Sequence, residues 1–272
     1  AGGLTVGFRM GSSTGGQGTF SAAKDLGNGQ YTAVFTGTLA GKNTILAYIN
    51  GQLISSGPSI TVVPGSLSPM KSPVTISSTS MKAGGTVTVT LQPEDIGGNK
   101  LNLGPGQTVA FSIASGLGTL GPVTANKNGT YSATFTTTTA GSYYIETSIN
   151  DQAVTSTIMV LNVSPAAVSL TNSVVTVSEE SVQSGSRVTV TLKAVDAFGN
   201  LEILPLAVAF KLGGGSGNGT FGNVTYSGNG LSGDGIYQAT FTGTKVGSTV
   251  IEALIDGFKV KSTALITVTS AS

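Results

Sequence analysis

The chain has 272 residues, 40 of them Gly, with only 9% charged side chains and a formal net charge of +1. Cys and His are both absent, which excludes disulfide staples, thiolate metal sites and the commonest general base. The scattered charge offers no footprint for nucleic acid or an anionic membrane surface, and no apolar run approaches the roughly 20 residues needed to span a bilayer.

The apolar content is carried by Val, Ile, Leu and Ala, with few of the straight-chain residues that favour helices, so an all-β class is expected. The chain starts at Ala1 without an initiator Met; either processing removed a start, or the sequence is a segment of something longer. The first strand reads from Leu4 to Met10. The next landmark is N-G-Q-Y-T-A-V-F (Asn28 to Phe35), which returns as N-G-T-Y-S-A-T-F (Asn128 to Phe135) and as D-G-I-Y-Q-A-T-F (Asp234 to Phe241). Tyr31, Tyr131 and Tyr237 therefore mark homologous units about 100 residues long. Ala40-Gly41, Ala140-Gly141 and Val246-Gly247 follow the tyrosine strands. Asn50-Gly51, Asn150-Asp151 and Asp256-Gly257 then supply hairpin turns, because these residues tolerate positive φ.

The second unit opens at Pro64 to Ser77, which aligns with Pro165 to Ser178 in the third. V-T-V-T-L at Val87 to Leu91 recurs at Val188 to Leu192, and the turn D-I-G-G-N (Asp95 to Asn99) recurs as D-A-F-G-N (Asp196 to Asn200). In the last copy the expected strands are Ser173 to Val177, Arg187 to Ala194, Leu206 to Lys211, Gly219 to Tyr226, Gly235 to Phe241, Ser248 to Ile255 and Phe258 to Thr269. Val188, Val190 and Leu192 share one face while Thr189, Thr191 and Lys193 take the other, the period of a sheet with one wet side. Two such sheets face to face make a sandwich. The glycine run Gly213 to Gly219 lacks the Walker lysine and a following helix, and reads as a flexible loop rather than a phosphate cradle.

With the tyrosine strand, the glycine turn and the final hairpin in place, the sequence resembles bacterial immunoglobulin-like domains of the invasin and intimin group. The D-x-x-G-N turns at Asp95 and Asp196 carry that likeness. N-G-x-Y followed by A-G and by Ile54 to Gly65 also resembles the filamin-type repeat. The resemblance implies tandem domains that hold a binding tip away from a cell surface or form the body of a filament. The expected architecture is all-β: tandem immunoglobulin-like β-sandwich domains, two complete and one N-terminally incomplete, at residues 1–64, 65–164 and 165–272.

The first unit begins where Gln107 to Ile113 and Leu206 to Leu212 begin in the others, so its first two strands are missing. Either the sequence is a fragment of a longer array, or another chain donates the strands. Pro64, Gly65, Ser164 and Pro165 are read as inter-domain linkers. Tyr31, Tyr131 and Tyr237 are expected as structural anchors with buried rings and hydroxyls bonded to nearby backbone, and Phe35, Phe111, Phe135, Phe210 and Phe241 as core. Asp95 and Asp196, with Asn99 and Asn200, are weak calcium candidates set against a turn in which the side chain caps local N–H groups.

No catalytic residue, metal site or cofactor is expected, and the chain is read as not an enzyme. The expected role is a structural or adhesive module of an extracellular surface protein, stalk or filament. The alternatives are a receptor- or glycan-binding adhesin module, for which Tyr226 and Phe258 are the few loop aromatics, or a virion decoration or fibre domain. Expected partners are other copies of itself or neighbouring domains of a longer chain, with a host-surface or glycan ligand as a further option, no nucleic acid and no membrane insertion in this segment.

Overall fold

The computed structural model describes residues 3–227 and 234–271. Ala1 lies outside the described residues. The first unit holds β1 (Val6–Met10), β2 (Gln17–Phe20), β3 (Lys24–Asp25), β4 (Tyr31–Thr32), β5 (Phe35–Leu39), β6 (Gly41–Ile49) and β7 (Gln52–Val62). The second holds β8 (Val74–Ile76), β9 (Ser80–Lys82), β10 (Thr86–Leu91), β11 (Val109–Ser115), β12 (Thr119–Leu120), β13 (Thr124–Ala125), β14 (Tyr131–Thr136), β15 (Gly141–Ile149), β16 (Gln152–Ala153) and β17 (Met159–Ser164). The third holds β18 (Val174–Val177), β19 (Ser181–Gln183), β20 (Arg187–Lys193), β21 (Val208–Gly215), β22 (Asn218–Phe221), β23 (Thr225–Tyr226), β24 (Ile236–Lys245), β25 (Gly247–Ile255) and β26 (Phe258–Thr269). Among the described residues there is no helix, hence none long and apolar enough to cross a membrane.

The second and third units each pair two sheets. Orders β12-β14-β10-β8 and β11-β15-β17-β9 in one are matched by β22-β24-β20-β18 and β21-β25-β26-β19 in the other. Alternation fills the space between them. Val87, Val89 and Leu91 from β10 meet Phe135, Ile145, Ile149 and Leu161 in one core. Val188, Val190 and Leu192 from β20 meet Phe241, Ile251, Ile255 and Ile266 in the other. Thr189 and Lys193 on the opposite face of β20 are exposed. The hairpin turns take the expected conformation, with Asn50, Asn150, Asp151 and Asp256 at φ of 49–62°, the left-handed geometry that matches strand twist.

Among the described residues the first unit has the sheet β1-β6-β7 and, apart from it, the two-stranded pairs β2-β5 and β3-β4. In the complete units β14 and β24 are flanked by β10 and β20, whereas no strand of the described structure covers that edge of β5. Phe35 is therefore only half-buried, while Phe135 and Phe241 are fully buried. Phe210 is buried and Phe111 partly so.

Several strand boundaries differ from the sequence reading. The second sheet's edge is a short parallel strand, β9 or β19, on the last strand of its domain; three-residue pieces carry too little periodicity to be read. Strand β21 starts at Val208 because the Leu206 N–H is taken by the Tyr237 hydroxyl. Gly213 to Gly219 is not a free loop: its ends lie in β21 and β22, which pair with β25 and β24. Gly219 is needed there because a Cβ would overlap the Phe241 ring, as it would at Gly18 against Phe35 and at Gly118 against Phe135. The edge of each phenylalanine ring thus occupies the space that a side chain at the glycine would need.

Candidate functional site

The groups that sequence reading singled out at Asp95, Asn99, Asp196 and Asn200 come together at the two domain junctions. Asp95 is 3% exposed. Its Oδ1 accepts from the N–H groups of Gly97 and Asn99, each at 2.8 Å, and its Oδ2 from the Asn99 side-chain amide at 2.9 Å. These bonds close a local turn. A fourth donor, the Gly65 N–H at 2.6 Å, belongs to the linker, so the same carboxylate fixes where the domain begins. The third domain repeats the pattern, with Asp196 accepting from Phe198, Asn200 and the linker residue Ala166.

With its side-chain amide held by Asp95, Asn99 reaches across the junction. Its Oδ1 accepts from the Ala40 N–H at 2.7 Å and its Nδ2 donates to the Thr38 carbonyl at 3.2 Å. Asn200 does the same to Ala140 and Thr138, both at 2.8 Å. One amide thus satisfies a donor and an acceptor of the preceding domain's backbone, a pairing that only a planar side chain in one rotamer can make. The Phe198 ring adds an apolar contact by lying against Gly84 of the second domain. Gly97 stands at the matching position of the first junction, so that ring contact has no counterpart there.

Burial raises the proton affinity of Asp95, but the hydrogen bonds from Gly65, from the side chain and backbone of Asn99 and from Gly97 outweigh it and hold its pKa at about 2. Asp196 is lowered in the same way: burial opposes, while bonds from Asn200, Ala166 and Phe198 prevail. These carboxylates face N–H donors, which is an environment for an anion rather than for a cation's ligand. Among the described residues no three acidic side chains gather as a metal cage would require.

The other candidates are placed as follows. Tyr237 is fully buried, and its hydroxyl accepts from Leu206 N–H at 2.8 Å and donates to the Leu204 carbonyl at 3.2 Å. Tyr31 and Tyr131 are half-buried and, among the described residues, make no such backbone bond. In the second domain that role falls to Tyr143, one strand later, which sequence reading missed; its buried hydroxyl donates to the Thr139 carbonyl at 2.7 Å. Pro64 and Gly65 lie between strands, while Ser164 is the last residue of β17. Ser72 and Ser173 were also missed. Both are fully buried, and their hydroxyls accept from Glu94 and Val195 N–H next to the junction turns. Their signal was the recurrence of serine before V-T-I and V-T-V, which alone does not separate a buried bond from a loop residue. Tyr226 stacks on Tyr237 at 4.9 Å, and Phe258 is 67% exposed on β26.

The family profile of invasin, domain 3, matches residues 68–164 and 169–271, each beginning just past a linker. The chain belongs to this family. Among solved structures it is similar to FdeC, a broadly conserved Escherichia coli adhesin, at 25% identity and a TM-score of 0.57, covering 97% of this chain and 85% of that one. InvD of Yersinia pseudotuberculosis is 28% identical with a TM-score of 0.53, over 75% of this chain and 59% of its own. Invasin, a bacterial integrin-binding protein, shares the fold at 24% identity and a TM-score of 0.57, over 98% of this chain and 53% of that one. The chain thus spans little more than half of the invasin and InvD chains. A search of curated protein sequences finds no match.

At the junction of the two domains that the profile matches, Glu202 is buried with its Oε1 unpartnered. Burial raises its pKa, the neighbouring Asp196 raises it further, and Lys82 of the preceding domain pulls it down. A carboxyl whose folded pKa is raised destabilises the fold once ionised, so its cost is present above the raised pKa and disappears as pH falls below the ordinary range. Glu202→Gln is expected to raise the melting temperature at pH 7 and to leave it nearly unchanged at pH 4. Thermal unfolding followed by circular dichroism at the two pH values checks this; an equal shift at both would remove the ionisation argument.

Proposed function

We propose that this chain is a structural module of an extracellular adhesin or stalk, in which immunoglobulin-like domains bounded near residues 64/65 and 164/165 act as a spacer of limited bending. Membership of the invasin domain family and likeness to adhesins support the surface role. The observation that carries the spacer reading is the paired bridge from Asn99 and Asn200 to the backbone of the preceding domain, repeated with the same partners at both junctions. A junction tied by a donor and an acceptor on one side chain, with the linker N–H bonded to the same turn, resists both twist and bend better than a free linker does. Enzymatic chemistry has no part in this reading.

The test measures distances between spin labels on Lys127→Cys and Lys261→Cys, in a chain with no native cysteine. A narrow distribution is expected, broadening when Asn200→Ala is added, while that substitution costs about 1–2 kcal/mol of stability. A broad distribution in the parent, or no broadening in the variant, would sink the spacer reading.

The first domain has a second role in this proposal, as an acceptor of strands. The free edge of β5 and the half-buried Phe35 both face the place that the second domain fills with β8 and β10. An adjoining stretch of the same polypeptide or a neighbouring copy can supply those strands, and only the copy links subunits. Concentration-dependent self-association of the 272-residue chain supports linkage; a monomer at high concentration, by sedimentation, rules it out.

A further inference from the structure

The second and third domains are copies, and they differ most informatively around one glutamate. In the third, Glu252 on β25 lies opposite Lys211 of β21 and beside Lys259 of β26; it pairs with Lys211 at 3.5 Å and makes a closer ion pair with Lys259. In the second, Glu146 takes the same place on β15, opposite Ser112. The counterpart of Lys259, adjacent to the hairpin turn, is Ala153. Both cations are thus replaced by small side chains, and Glu146 has no cationic partner within 4 Å among the described residues.

The strand beside it is also opened. The same six-residue advance, Tyr143 to Ile149 and Thr249 to Ile255, is matched by Gln152 to Leu161 in the second domain but by Phe258 to Ile266 in the third, one residue shorter. The extra residue breaks the ladder between β16 and β17 and pushes Ile158 out to 77% exposure. A cleft of about 620 Å³ results, lined by Ser112, Tyr144, Glu146, Thr147, Ala153 and Ile158 among others. The Oγ1 of Thr147 is buried at its wall without any hydrogen-bond partner, in a residue 6% exposed. The third domain has the fully buried Ala253 there. A buried unpaired hydroxyl is costly in a static fold; Thr147 points with Tyr143, Ile145 and Ile149 toward the core, while the unneutralised Glu146 and Tyr144 share the outer face of β15.

We infer that this cleft of the second domain binds a lysine or arginine side chain presented by a partner protein, in the place that the third domain fills with its own Lys211 and Lys259. Glu146 supplies the opposing charge, with Asp151 also on the cleft wall. The half-exposed Tyr144 offers a ring face to the cation, and Ile158 an apolar rail for the alkyl stem. A polypeptide side chain, rather than a free amine, is favoured because the sister site is filled by lysines standing on strands at the same spacing.

The experiment is an NMR titration of the isotopically labelled 272-residue chain with acetyl-Ala-Lys-Ala-amide and its Arg counterpart, with the Gln counterpart as control and spermidine as the free amine. Saturable shifts confined to Ser112, Tyr144, Glu146 and Thr147 are expected with the Lys and Arg peptides and not with Gln. Affinity should fall at least about tenfold in Glu146→Gln. The double variant Ser112→Lys, Ala153→Lys recreates the internal pairing; it should stay folded, as its spectrum will report, and lose the peptide response. Absence of localised shifts, or equal binding by Glu146→Gln, overturns the inference. So does saturation by spermidine with no response to either peptide, which assigns the cleft to a free polyamine instead. None of these outcomes bears on the junction distances, so this site and the spacer reading fail separately.

Discussion

Asp196→Ala is expected to lower the unfolding free energy of the third domain by about 3–5 kcal/mol at pH 7. The carboxylate is fully buried and accepts from Phe198 N–H, Asn200 N–H, the Asn200 amide and the linker Ala166 N–H. Its removal leaves four donors without partners where water has little access, and it frees Asn200, so the cross-junction bridge goes with it. Asp196→Asn should fall between the two, because one acceptor survives while the new NH2 group faces N–H donors. Asp95→Ala is the matched experiment at the first junction, and there the pH dependence is explicit. A folded pKa of about 2, below the ordinary carboxylate value of 3.8, means that folding favours the ionised form. Its contribution is present above pH 3.8 and is lost as pH falls toward 2. Urea titrations of parent and Asp95→Ala should therefore differ fully at pH 7 and converge near pH 2. A gap that stays constant would show that the carboxylate's charge is not what stabilises the turn.

The second large effect is expected at the ring that closes the core. Phe241→Ala should cost about 3–5 kcal/mol, since the ring is fully buried between the sheets and the flanking backbone is held by pairing on both sides, which limits collapse into the cavity. Phe35→Ala at the homologous position should cost about 1–2 kcal/mol, because that ring is only half-buried and β5 lacks a neighbour on one edge. Chemical denaturation of the two variants measures the difference. Equal losses would mean that the first domain packs its core as tightly as the third, and the strand-acceptor role proposed for it would fail.

Tyr237 and Tyr143 show why the repeat was a better guide to fold than to individual contacts. G-x-Y after Asn or Asp recurs in every unit, yet only in the third does that tyrosine bond backbone; in the second the buried hydroxyl comes from β15. Two rings on consecutive strands of facing sheets can reach similar space, and which one enters depends on side-chain volumes across both sheets. The glycines tell a similar story. Gly118 and Gly219 look like loop residues in a string, but each is kept free of a side chain by the edge of a phenylalanine ring from a neighbouring strand. Glu146 and Glu252 are the converse case, a shared residue whose meaning diverges because the lysines around one are absent around the other.

The sequence by itself determined the all-β class, the tandem repeat, the hairpin turns and the alternation that buries Val188, Val190 and Leu192, because these depend on local conformational preference and a period of two. It also marked Asp95 and Asp196 as turn formers, since an Asx side chain bonds to backbone only a few residues away. Only the tertiary structure decided that Asn99 and Asn200 clasp the preceding domain, that Ser72 and Ser173 are buried beside those turns, and that one extra residue near Ile158 opens a cleft. Each of those depends on pairing between segments tens of residues apart, where small differences in register decide which groups meet.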